Sequence, residues 1–158
     1  MRAIVGTALG AAAAAVAGSV ASKSSIDTWY KTIEKPSYVP PNVVFPVAWT
    51  TLYTDIAVTS GHTLDTLHGS GRKDEARSYT TALVANLMLN ASWSWVFFKY
   101  HKLGPAALLA GVLAASSADL ARRTAQVSPA AGAALAPYPL WCTFATVMST
   151  DIWRRNRR

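Results

Sequence analysis

The stretch WYKTIEKPSYVPPNVVFPVAWTTLY, residues 29–53, reads as a polar, proline-studded loop running into an apolar helix. Pro36, Pro40 and Pro41 each fix φ, lack an N–H and bias the preceding residue toward extended geometry, so residues 35–41 cannot be regular helix. The loop is therefore stiff. Its rings Trp29, Tyr30 and Tyr38 are amphipathic, of the kind that sits at a membrane interface or covers a pocket. Two readings stand side by side: a rigid connector with an interfacial aromatic belt, or a lid over a ligand. Pro46 falls near the start of the next helix, where a missing N–H costs least.

The chain has 158 residues, room for one domain, and 51% of them are hydrophobic, with a positive mean hydropathy. A polytopic membrane protein is the first expectation. The net charge of +7 does not point to nucleic acid, because Lys and Arg lie between apolar runs and at the C-terminus and form no basic face. The lone Cys142 excludes an intrachain disulfide, and no His/Cys spacing suggests a metal.

Apolar periodicity and length predict five helices over 3–22, 43–62, 79–98, 104–121 and 130–153. In the first, Gly6, Gly10, Ala14 and Gly18 recur every four residues, a stripe that lets another helix approach closely. We expect this helix to be retained, although Arg2 and Ala15-Val16-Ala17 also resemble a signal peptide. The second carries Asp55, which at mid-bilayer would cost about 2.5 to 3.5 kcal/mol and so should face protein or water, or bond to Thr51, Thr54 or Thr59. Residues 63–78 read as a solvent loop broken by Gly69 and Gly71. On the third helix Asn86, Asn90 and Trp93 share a face, either bonding across helices or lining a cavity. Asp119, Arg122 and Arg123 read as an ion-paired helix end. Pro137 and Pro139 predict a kink, after which Trp141, Phe144, Ala145 and Met148 form one face. With five spans the positive-inside rule favours a cytoplasmic C-terminus.

Trp29-Tyr30, Lys35-Pro36, Pro40-Pro41, Phe45-Pro46, Trp49 and Leu52-Tyr53, joined by Asn90, Trp93, Phe97-Phe98, Pro137-Tyr138, Trp141 and Phe144-Ala145-Thr146, resemble the signature of the tryptophan-rich sensory protein / translocator protein family, also called the peripheral benzodiazepine receptor family. The resemblance covers essentially the whole chain. It implies an all-α, five-helix membrane bundle, usually a homodimer, with a pocket under the loop between helices one and two. It also implies ligands: tetrapyrroles such as protoporphyrin IX, sterols and isoquinoline carboxamides. On matching positions the pocket would involve Phe45, Pro46, Trp49, Asn90, Trp93, Trp141, Phe144, Ala145 and Met148, with Trp29, Lys35, Pro36, Tyr38, Pro40 and Pro41 in the lid. No cofactor or metal is required; porphyrin enters as a ligand.

The chain departs from the family's sterol-recognition stretch, carrying Thr150 where a Tyr is needed. It also has Tyr38 for a loop Trp and Leu109 for an Asp early in the fourth helix.

Three functions follow from this reading. The first is a receptor or sensor for porphyrin-like and other hydrophobic ligands, the second a light-dependent porphyrin degrader working through Trp49 and Trp141, and the third a transporter. No nucleophile with a paired base supports ordinary catalysis. We expect a multi-pass protein of a bacterial cell membrane rather than a mitochondrial outer membrane, surrounded by lipid and without nucleic-acid partners.

Overall fold

A computed structural model describes residues 2–158 of the chain. The described residues are helical and connected by short turns: α1 (Arg2–Ile26), the single turn α2 (Trp29–Thr32), α3 (Val44–Gly69), α4 (Lys73–Ser94), α5 (Leu103–Val127), α6 (Pro129–Leu135) and α7 (Pro137–Asn156). The helix α4 runs on into a π-helical turn, Trp95–Lys99, closed by Tyr100 N–H donating to Trp95 O at 3.0 Å. The five expected spans thus become seven helices. The extra two are the turn α2 within the loop and a break in the last span, where Pro137 and Pro139 start α7 afresh and leave α6 as a short separate helix. Ser128 caps α6 by accepting from Ala131 N–H at 3.3 Å, with Pro129 at the first helical position.

The solvent loop expected at 63–78 is corrected by the structure to a three-residue turn, 70–72. Leu64 and Leu67 are buried in the same cluster as Ala76 and Tyr79 across the turn, and this burial outweighs the polar composition. The turn is a Schellman motif: Gly71 takes φ +74°, its N–H bonds His68 O, and Arg72 N–H bonds Leu67 O at 2.9 Å. Asp74 and Glu75 then occupy the first turn of α4, where the helix dipole favours acids. By contrast, residues 33–43 form no regular helix, as the prolines require.

The closest packing is of α5 on α7 and of α1 on α3, with α4 against both α1 and α5. α1 presents Thr7, Ala11, Ala14, Gly18, Ala21 and Ser25 inward, and Thr7 Oγ1 donates to Ala57 O of α3 at 2.7 Å. The small-residue stripe works only in part. Gly10 and Gly18 face Leu87 and Ser94 of α4, but Gly6 faces open space. Two approaches demand glycine: at Gly61 of α3 a Cβ would lie 2.7 Å from the Ile4 Cα, and at Gly132 of α6 it would lie 2.5 Å from the Ala125 Cα.

Outward, the long helices present apolar side chains: Val5, Leu9, Val16 and Val20 on α1, Val47 on α3, Val84 and Met88 on α4, Leu108 and Val112 on α5, and Leu140 and Val147 on α7. Leu108, for example, is 73% exposed. A bundle apolar on both faces is suited to lipid. Among the described residues, three helices are long and apolar enough to cross a membrane by length and composition: Arg2–Ile26, Lys73–Lys99 and Leu103–Val127. Asp119 pairs with Arg122 at 2.6 Å and with Arg123 at 2.7 Å, near the end of α5.

Gly61→Ala should destabilise the bundle by about 1–3 kcal/mol, because the backbone of α1 blocks the added methyl. Gly6→Ala, with nothing nearby, should stabilise it by up to ~1 kcal/mol through helix propensity. Thermal unfolding of the two variants in detergent measures the contrast.

Candidate functional site

A buried hydrogen-bond chain crosses the middle of the bundle. Tyr53 O–H (α3) donates to Asn90 Oδ1 (α4) at 3.1 Å, and Asn90 Nδ2 donates to Tyr138 Oη (α7) at 3.0 Å. Tyr138 O–H donates to Asn86 Oδ1 at 2.7 Å, and Asn86 Nδ2 reaches Ser116 and Ser117 of α5 at 3.1 and 3.2 Å. The asparagine stripe expected on α4 therefore bonds across helices. It fixes the relative positions of α3, α4, α5 and α7.

α3 and α7 are not among the closely packed pairs. A cavity of about 860 Å³ opens between α1, the first half of α3 and the end of α4. Its wall on α1 is made of small residues, Ala8, Ala11, Ala12, Ala15, Gly18, Ser19 and Ser22, with Ile4 and Ile26 at its two ends. The wall opposite is aromatic, with Phe45, Trp49 and Tyr53 from α3 and Trp93, Phe97 and Phe98 from α4 and its π turn. Met148 of α7 closes the far side, and Tyr30, Asn42 and Val43 close the loop side. Among the described residues, no Lys, Arg, His, Asp or Glu lines it. A pocket so large, apolar and ringed by aromatics suits a flat hydrophobic ligand.

Of the expected pocket residues, Phe45, Pro46, Trp49, Asn90, Trp93 and Met148 lie on this wall. Trp141 stands behind it, edge-on to Phe45 at 6.0 Å and to Trp49 at 6.4 Å. Phe144 packs on Trp141 at 5.5 Å, and Ala145, one residue on, is half-buried and also off the wall. The alanines of α1 and the rings of Tyr30, Tyr53, Phe97 and Phe98 were not among the expected ligand contacts. Small residues facing helices rich in Trp and Phe are the signal for them.

Asp55 is half-buried, and none of the three threonines bonds its carboxylate. Thr51 and Thr54 donate to the carbonyls one turn back, and Thr59 donates to the Asp55 main-chain oxygen at 2.7 Å.

The expected lid residues hold the loop rather than line the cavity. Trp29 stacks on His101 at 4.0 Å, and His101 itself sits at φ 56° after the π turn. Lys35 Nζ donates to Tyr30 O at 2.6 Å and Ile33 O at 3.2 Å and lies over the Tyr30 ring, which fixes that ring on the cavity. Pro36 is buried; Pro40 and Pro41 carry the extended chain to α3, with Pro41 O accepting from Val44 N–H at 2.9 Å. Three bonds then latch the loop to the end of α7. Asn156 accepts from Glu34 N–H at 2.9 Å and returns Nδ2–H to Glu34 O at 2.8 Å, while Tyr38 O–H donates to Asp151 Oδ2 at 3.1 Å. Burial, then the bond to Asp151, raises the Tyr38 phenol above its ordinary value. Its neutral form is thus favoured in the fold, and that contribution is present below about pH 10 and lost as pH rises through the raised value.

The profile of the TspO/MBR family matches residues 6–154. The chain belongs to the TspO/MBR family. It is 35% identical to the translocator protein of Homo sapiens over 130 residues, 81% of this chain and 75% of the relative. It is 32% identical to the tryptophan-rich protein TspO of Archaeoglobus fulgidus over 157 residues, 97% of this chain and 96% of the relative. To protein CrtK of Rhodobacter capsulatus the figure is 31% over 145 residues, 91% and 88%. As a member of this family, with long apolar helices and apolar outer faces, the chain is a membrane protein.

The latch can be tested without ligand. Asn156→Ala should raise amide hydrogen exchange at Glu34 by about tenfold while leaving the centre of α7 protected. Tyr38→Phe should loosen the loop less, because Tyr38 is already 44% exposed.

Proposed function

We propose that this protein is an integral membrane receptor or sensor that takes tetrapyrroles such as protoporphyrin IX, and other flat hydrophobic molecules, into the cavity between α1, α3 and α4. The observation that carries the reading is a cavity of about 860 Å³ between a wall of mostly small residues and an aromatic wall, with no charged side chain among the described residues that line it. This volume lies in the range of drug-sized ligand sites, roughly 300–1,000 Å³. A carboxylate buried there without a partner would be costly, so the porphyrin ring enters and its two carboxylates stay at the mouth. Sterols and isoquinoline carboxamides belong to the same apolar class.

The proposal includes the membrane arrangement. Five crossings, made by α1, α3, α4, α5 and the α6–α7 pair, put the C-terminal arginines in the cytoplasm of a bacterial cell, and two copies form a homodimer. Light-driven loss of the bound porphyrin is a second reading. It is favoured by the edge-to-face indoles of Trp49, on the wall, and Trp141, behind it.

A dark titration with protoporphyrin IX, followed by porphyrin absorption, tests both. Saturable binding that weakens at least tenfold in Trp49→Leu, and less in Trp141→Phe, supports the receptor; the factor follows from losing one stacked ring and its area. Binding that never saturates, or ignores both substitutions, refutes it. Illumination of the saturated complex then separates the readings, since a degrader bleaches the porphyrin and loses that activity in Trp141→Phe.

A further inference from the structure

The outward face of α3 differs from those of its neighbours. With 26 residues α3 exceeds the roughly 20 that a crossing takes, yet it is not among the helices apolar enough to cross by composition. Where α1, α4 and α5 turn Val, Leu and Met outward, α3 turns out Val47, Thr51, Asp55, His62 and Thr66, whose spacing of four and seven residues makes one stripe. Thr51 and Thr66 are satisfied within the helix, donating to Val47 O and His62 O at 2.9 Å. Asp55 is not. Asp27, Glu75, Asp119 and Asp151 each pair with a Lys or Arg, whereas among the described residues the half-buried Asp55 carboxyl has neither an ion pair nor a hydrogen bond. It does not line the cavity either, so a ligand seated there leaves it unanswered. Counted from Val44 it stands about 16 Å along the helix axis, near the middle of a hydrocarbon layer of roughly 30 Å, and its short side chain cannot reach the headgroups. A carboxyl at that depth is costly until a partner meets it.

We infer that this stripe is a docking surface for a transmembrane helix of another protein, one that carries a Lys or Arg at mid-depth to meet Asp55. The cation supplies the charge and the donors that the carboxylate lacks. A second copy of this chain fits the face poorly, because a two-fold axis along the membrane normal would set Asp55 against Asp55 and His62 against His62. The surface is separate from the cavity and does not rest on the receptor reading.

The probes are three helices of about 20 Leu and Ala residues, identical except for a lysine, glutamine or leucine at the centre. Each carries an acceptor dye and is reconstituted in lipid vesicles with donor-labelled full-length protein, and energy transfer is followed as peptide density rises. Wild type should take the lysine helix about tenfold more tightly than the other two; Asp55→Asn should lose that preference and Asp55→Glu should keep it. A lysine helix bound no better than the leucine helix, or a preference that survives Asp55→Asn, overturns the inference. So does loss of self-association in Asp55→Asn, read as energy transfer between differently labelled copies, which would give the stripe to the homodimer.

Discussion

The buried chain from Tyr53 through Asn90, Tyr138 and Asn86 to Ser116 and Ser117 is the constraint from which the rest of the bundle follows. Inside a bundle whose outer face is also apolar, no water competes for these groups, and an unpaired amide or phenol would cost about 1–3 kcal/mol. Each member therefore requires the helix that carries its partner. The chain locks α3, α4, α5 and α7 to one another at mid-height, and the lower halves of α3 and α4 then pack Leu64, Leu67, Ala76 and Tyr79 into a continuous core. Above it, the aromatic halves of α3 and α4 are left facing α1. Alanine and glycine on α1 do not reach across, and the volume they leave is the cavity.

The loop closes this volume by being fastened at both ends. Lys35 fixes the Tyr30 ring from one side; Asn156 and Asp151 of α7, the helix that also carries Met148, fasten the chain from the other. Wall and fastening thus share one helix.

Much of this was legible in the residues, and the exceptions have physical causes. Pro36, Pro40 and Pro41 announce a stiff non-helical segment because proline acts locally, and that segment is found at 33–43. Asn86 and Asn90 share a face by helical spacing alone, but their partners lie 30 to 52 residues away and no local pattern names them. Polar composition suggests a loop at 63–78; the burial of Leu64 and Leu67 against Ala76 and Tyr79 and a single left-handed glycine suffice to keep both helices going to within three residues of each other. Trp141 shows why periodicity alone cannot draw a pocket wall. It lies on the expected face of α7, yet Trp49 and Phe45 fill the space in front of it. Alanine carries no positive signal for a binding wall, so the contribution of α1 becomes visible only once its neighbours are placed.

The most direct measurement of whether ligand occupies the space between α1 and α3 is protection of a single thiol. In a Cys142→Ser background, which removes a thiol already buried at 1% exposure, Ala15→Cys places the reporter on the cavity wall and Val16→Cys places it on the outer face, where Val16 is 63% exposed. Saturating protoporphyrin IX should slow alkylation by a membrane-permeant maleimide at position 15 at least tenfold and leave position 16 unchanged. Equal rates at position 15 with and without porphyrin, or equal slowing at both positions, would contradict a ligand seated in this cavity.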